Sequence, residues 1–169
     1  SNNGLAWTRT GAFLTIQKAV DVIKALDING QTVTVQLGDG TYLAGATLAN
    51  VVGYATPGNL VIQGNASAPA NVVVSVTSGN CFSVSSISTV WDVKNMRLQT
   101  TTSGSALVAQ GASLRYSGID FGSCATYHML VADGSGISCT GSYTISGGAT
   151  GHIYCQASTV GIGGVTITF

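Results

Sequence analysis

This chain has very little charge. Only 7% of its 169 residues are charged, six acidic against six basic, and every acid is an aspartate. A nucleic-acid surface needs clustered Lys and Arg to neutralise phosphates, and no such stripe exists, so no nucleic-acid partner is expected. No apolar run approaches the roughly 18 residues of a membrane-crossing helix, so no membrane partner is expected. Proline occurs only twice, and 45% of the residues are hydrophobic. Disorder requires the opposite balance, with low hydrophobicity and high charge. The four cysteines, Cys81, Cys124, Cys139 and Cys155, match no common zinc spacing. Neither a metal nor another cofactor is expected.

What the chain has is glycine, 23 of them, and a repeat. Leu107 to Leu114 reads LVAQGASL, Leu130 to Ile137 reads LVADGSGI, and Ile153 to Val160 reads IYCQASTV. The three segments align without a gap, and each is followed by two further apolar pairs. Short alternating runs, Gly/Ser turns and a period of about 23 residues predict an all-β fold, a right-handed single-stranded parallel β-helix with three strands per coil. Residues one coil apart then lie about 4.8 Å from each other. The inward columns should read Trp91–Leu114–Ile137–Val160, Met96–Ile119–Tyr143–Val165 and Leu98–Phe121–Ile145–Ile167. Cys139 and Cys155 fall at interior positions and read as core thiols. On the outer surface, Asp92 should meet Arg115 and Arg97 should meet Asp120. Gln110, Asp133 and Gln156 should form a third polar column.

Residues 15–27 have a different period. Ile16, Ala19, Val20, Ile23 and Leu26 make one helical stripe, with Thr15 as N-cap and Leu14 just before it. Asn29-Gly30 closes the segment. An open solenoid end exposes core and unpaired strand groups, and an amphipathic helix would cover both. The expected organisation is therefore an N-terminal segment and capping helix over 1–31, then coils over 32–169. The last coil is incomplete at Phe169 and carries no cap, which leads us to expect a longer parent protein.

The stretch Gly11 to Ile23, GAFLTIQKAVDVI, is followed by VTVQLGDGTY from Val33 to Tyr42. Together they resemble the opening segment of pectin-lyase-like right-handed β-helix proteins, where F-x-T-I-Q-x-A precedes a strand and then G-x-Y. With Asn3-Gly4-Leu5-Ala6-Trp7 upstream and low-charge coils downstream, the chain resembles phage and prophage tail proteins of that superfamily. The resemblance implies the fold and a place in a virion tail or other extracellular particle. The fold carries lyases, hydrolases, esterases and non-catalytic fibres, so it does not determine activity.

Catalytic candidates are few. Gly118-Ile119-Asp120-Phe121 resembles the segment around one catalytic Asp of pectinesterases, but their upstream Gln-Asp pair is absent. Glycosidases need two carboxylates about 5–9.5 Å apart. Asp120 is assigned to Arg97 and Asp133 to the Gln column, so both are weak candidates, and the reading leans against catalysis in this segment. His128 and His152 lie twenty-four positions apart. The repeat sets His128 beside Gly151 and His152 beside Met129, so the two are close but not in one column, and no third metal ligand is evident. Both read as ordinary turn or surface histidines. Candidates for carbohydrate contact are Tyr127, His128, Gln110, Asp133 and Gln156, with Tyr54 and Trp7 behind them. The expected function is a structural and receptor-binding β-helix module of a phage tail fibre or tailspike. Its expected partners are a bacterial surface polysaccharide and sister chains, with a homotrimer favoured. The alternatives are a polysaccharide-degrading enzyme with catalytic residues partly outside this chain, and a cell-surface adhesin.

Overall fold

The computed structural model describes residues 12–169. Trp7, a sequence candidate for sugar contact, lies outside them. The first element is helix α1 (Ile16–Ile23). The Thr15 hydroxyl accepts from the Lys18 backbone N–H at 3.1 Å, which satisfies one orphan donor of the first turn. Ile16, Ala19, Val20 and Ile23 are buried. The helix stops short of the expected Asp27. The Ala25 and Leu26 amides bond back only three residues, to Val22 and Ile23, and this tighter turn rotates Leu26 out to 47% exposure. Leu14 is 83% exposed and makes no staple.

Seventeen short strands follow, in three per coil. The first coil holds β1 (Val33–Gln36), β2 (Gly40–Tyr42) and β3 (Ala46–Leu48). The second holds β4 (Leu60–Gln63), β5 (Val72–Ser78) and β6 (Phe82–Ser85). The third holds β7 (Trp91–Lys94), β8 (Arg97–Ser103) and β9 (Leu107–Gln110). The fourth holds β10 (Ser113–Ser117), β11 (Asp120–Phe121) and β12 (Tyr127–Ala132). The fifth holds β13 (Gly136–Cys139), β14 (Tyr143–Ile145) and β15 (Gly151–Cys155), and β16 (Thr159–Gly161) and β17 (Ile167–Thr168) come last. Every strand pairs in parallel with its counterpart one coil away, giving two six-stranded sheets and one five-stranded sheet. The fold is the expected right-handed parallel β-solenoid, with the helix at its N-terminal end.

The capping contact is more specific than an apolar lid. The Gln17 side-chain amide accepts the Thr47 N–H at 2.8 Å and donates to the Thr47 carbonyl at 3.3 Å. Thr47 lies on β3, the edge strand of the five-stranded sheet. One side chain thus stands in for a missing neighbouring strand at that residue.

The column Trp91–Leu114–Ile137–Val160 forms as expected, with Trp91 and Ile137 fully buried. Leu98–Phe121–Ile145 forms as well. The last coil differs: Ile167 pairs with Tyr143, not Ile145, so Val165 falls short of Tyr143. The turn through Gly163-Gly164, with Gly164 at φ 72°, takes up the extra residue. The ungapped repeat is also corrected. Met129, not Leu130, pairs with both Leu107 and Ile153. Two turns cause this. Phe121 to Met129 spans one residue fewer than Leu98 to Leu107, and Met129 to Ile137 spans one more than Leu107 to Leu114. The two changes cancel in the period but not in the register.

Both expected ion pairs form. Arg115 Nε lies 3.2 Å from Asp92, and Arg97 Nη2 lies 2.5 Å from Asp120. Neither carboxylate is exposed as expected: Asp92 is fully buried and Asp120 retains 7%. The long cationic side chains cover them, and Lys94 joins Asp92 at 3.0 Å. The contacts on Asp92 are not aligned as hydrogen bonds, so charge alone holds that group. The buried thiols are Cys81 and Cys124, while Cys139 is half-buried and Cys155 exposed. Cys155 sits on β15, the edge of its sheet, where no further strand of the described residues covers it.

Candidate functional site

The most distinctive cluster is built where β12 pairs with β15. Tyr127 and His128 are consecutive, so their side chains leave β12 on opposite faces. Tyr127 pairs with Gly151, which places His128 directly against His152. The expectation of different columns is therefore wrong, and so is a surface position for His128, while His152 is half-buried. His128 is only 2% exposed, and its Nδ1 lies 3.0 Å from Nδ1 of His152.

The network assigns the protons. The Gly122 carbonyl can only accept, so His128 Nε2–H donates to it at 2.9 Å. Neutral His128 then has a bare Nδ1, which accepts the His152 Nδ1–H. His152 Nε2 is left as an acceptor and takes the Tyr143 hydroxyl proton at 2.9 Å. Each ring nitrogen of the pair has one partner when both imidazoles are neutral. Phe121 packs against both rings, with centroids 5.3 Å from each. Burial lowers the His128 pKa despite the Gly122 bond. Burial, with the neighbouring His128, pushes His152 down to about 4. Burial raises the Tyr143 pKa. Behind Tyr143, the Tyr116 hydroxyl is fully buried without a hydrogen-bond partner among the described residues.

On the opposite face, the Tyr127 and Tyr154 rings stack with centroids 5.0 Å apart and planes 29° apart. Gly151 lies against the Tyr127 ring, where an added Cβ would make an ordinary contact at 3.4 Å. Tyr154 is 39% exposed, and its hydroxyl reaches Gln156 Oε1 at 3.5 Å. Gln110 is exposed and pairs with Ala132, one coil below Gln156. Asp133 does not stand between them, because the shifted register carries it one residue onward into a turn at φ 62°. The strands of this sheet, β3, β6, β9, β12 and β15, contain no Asp, Glu, Lys or Arg.

The remaining candidates lie elsewhere. One Asp120 oxygen takes Arg97 Nε at 2.6 Å, and the other takes the Ser146 hydroxyl. Asp133 is exposed and belongs to no carboxylate pair among the described residues. Tyr54 packs half-buried against the core. A separate shallow groove of about 370 Å³ lies beside the cap, lined by residues that include Gln17, Leu43, Asn80 and Ser83. Sequence reasoning missed Tyr154, His152 and Tyr143 as partners. The only available signal was the twenty-four-residue spacing of the histidines, which the assumed ungapped period obscured.

Comparison with family models, curated proteins and solved structures returned no match for this chain.

Proposed function

We propose that this solenoid is a structural and receptor-binding module of a phage or prophage tail fibre or tailspike, and that it contacts bacterial surface polysaccharide through Tyr127 and Tyr154. The observation that carries the glycan contact is the stacked, half-exposed tyrosine pair on a strand face without charge. Aromatic rings present an apolar face to sugar C–H groups and a hydroxyl to their polar edge. Gln156 and Gln110 supply amides that can donate to and accept from sugar hydroxyls. A face with no cation favours uncharged sugars over acidic ones. Its virion-tail role rests on resemblance alone: a pectin-lyase-like opening over residues 11–42, with Asn3 to Trp7 upstream and low-charge coils downstream as in tail proteins of that superfamily. Exposed Leu43 and Val52, at 75% and 64%, favour association with sister chains, with three copies the proposed number.

Binding is favoured over cleavage because Asp120, the better-placed carboxylate, is engaged at both oxygens. The test is calorimetric titration of the chain with purified surface glycans, followed by chain-length analysis. Tyr154→Ala should weaken binding about tenfold, equivalent to about 1.4 kcal/mol, and glycan length should stay unchanged. Shortened glycan that disappears with Asp120→Asn would instead establish the enzyme. Light scattering that finds a monomer would remove the trimer.

A further inference from the structure

We propose that the His128–His152 pair is a proton-operated joint, holding β15 and the tyrosine stack on β12 when neutral and releasing them in acid. The part of this inference that concerns glycan rests on the function proposed above; the joint itself does not.

The argument follows the lone pairs. In the neutral state the only unprotonated ring nitrogens are His128 Nδ1 and His152 Nε2, and both accept hydrogen bonds. A first added proton goes to His152 Nε2. That N–H must then donate to the Tyr143 oxygen, and the Tyr143 proton must turn elsewhere. The Tyr116 hydroxyl, without a hydrogen-bond partner among the described residues, is the available acceptor, on the ring that packs edge-on against Tyr143 at 5.4 Å. A second proton has only His128 Nδ1 left. It would set two N–H groups and two cations against each other across a 3.0 Å contact. Coulomb repulsion and the lost hydrogen bond then act together, between β12 and β15.

Among the described residues, nothing nearby neutralises such a cation. From β11 the pair meets Phe121, while the Asp120 carboxylate is engaged by Arg97 and Ser146. From β14 it meets Tyr143, with Tyr116 of β10 and the Cys139 thiol of β13 behind that ring. Cys124 lies two residues beyond Gly122 in the turn before β12, and Tyr127, Tyr154 and Cys155 complete the titratable set on β12 and β15. None of these groups is a carboxylate facing the imidazoles. Both histidine pKa values are depressed, so the stabilisation is complete above the ordinary value of 6.5 and is lost as pH falls towards about 4.

The test is amide hydrogen exchange at about pH 7 and about pH 4.5, corrected for intrinsic rates, with β10 amides as internal reference. The Gln156 N–H, bonded to the Val131 carbonyl at 2.9 Å, reports the β12–β15 ladder. Its protection relative to β10 should fall at least about tenfold in acid, and His152→Gln should abolish the pH dependence. Should the glutamine variant misfold, His152→Phe keeps a ring and removes the charge, and is read the same way. No acid loss in the parent, or the same loss in a folded variant, overturns the joint. Titration with neutral glycan at both pH values separates the two proposals. A loosened β15 with no glycan bound at about pH 7 sinks the glycan reading and leaves the joint standing. Equal glycan affinity at both values, with β15 loosened, overturns the coupling between them.

Discussion

Asp92 is a carboxylate without solvent exposure, between a lysine and an arginine that keep 27% and 28% of theirs. Removing a buried partner costs more than its pair contributed, because the charge left behind is uncompensated. Asp92→Ala should therefore destabilise by about 3 kcal/mol, seen as a lower urea midpoint. Asp120→Asn should cost less, about 1–2 kcal/mol, because Asn keeps the shape and one acceptor for Arg97. A larger loss at Asp120 than at Asp92 would reverse this ranking. Gly104 has a different constraint. Its φ is 97°, and a Cβ there would lie 1.9 Å from the Gly79 carbonyl oxygen. Gly104→Ala should cost more than the roughly 1 kcal/mol usual for backbone strain alone, again by urea unfolding.

At the scale of elements, the cap was legible because an amphipathic stripe is a helix signal independent of the rest of the fold. Ile16, Ala19, Val20 and Ile23 stand where that stripe put them. Its end was not legible, since the choice between another α turn and a tighter one was made locally at Ala25 and Leu26. Val20→Asp should cost several kcal/mol by burying an unpaired charge, checked by thermal unfolding. Gln17→Ala should cost about 1–2 kcal/mol, by leaving both Thr47 backbone groups without their amide partner. If Gln17→Ala is as stable as the parent, the helix closes the end by apolar contact alone. The ion pairs were legible for a related reason: Asp92 and Arg115, and Arg97 and Asp120, lie on strand pairs that keep the twenty-three-residue step. The candidate site was not, because the step is twenty-two residues into β12 and twenty-four out of it.

Across the whole molecule, each coil contacts only its neighbours, so stability is a sum of local terms along the axis. The third and fourth coils are buried on both sides, with Trp91, Met96, Leu98, Tyr116 and Phe121 fully inaccessible. In β15 no residue is fully buried, and Tyr154 and Cys155 are exposed. Amide exchange at neutral pH should therefore show protection greatest in β7 to β11 and falling towards Phe169. Uniform protection along the axis would mean that the coils unfold as one unit.

The amino-acid sequence by itself determined the solenoid, the capping helix and the inward faces. Alternation and helical periodicity follow directly from the geometry of strand and helix, and they survive errors in alignment. Only the tertiary structure decided that His128 meets His152, that Tyr127 stacks on Tyr154, and that Asp133 leaves its column. Those contacts depend on turn lengths between strands. One turn shorter and another longer leave the overall period intact while moving β12 by one residue, and a one-residue shift determines which side chains touch.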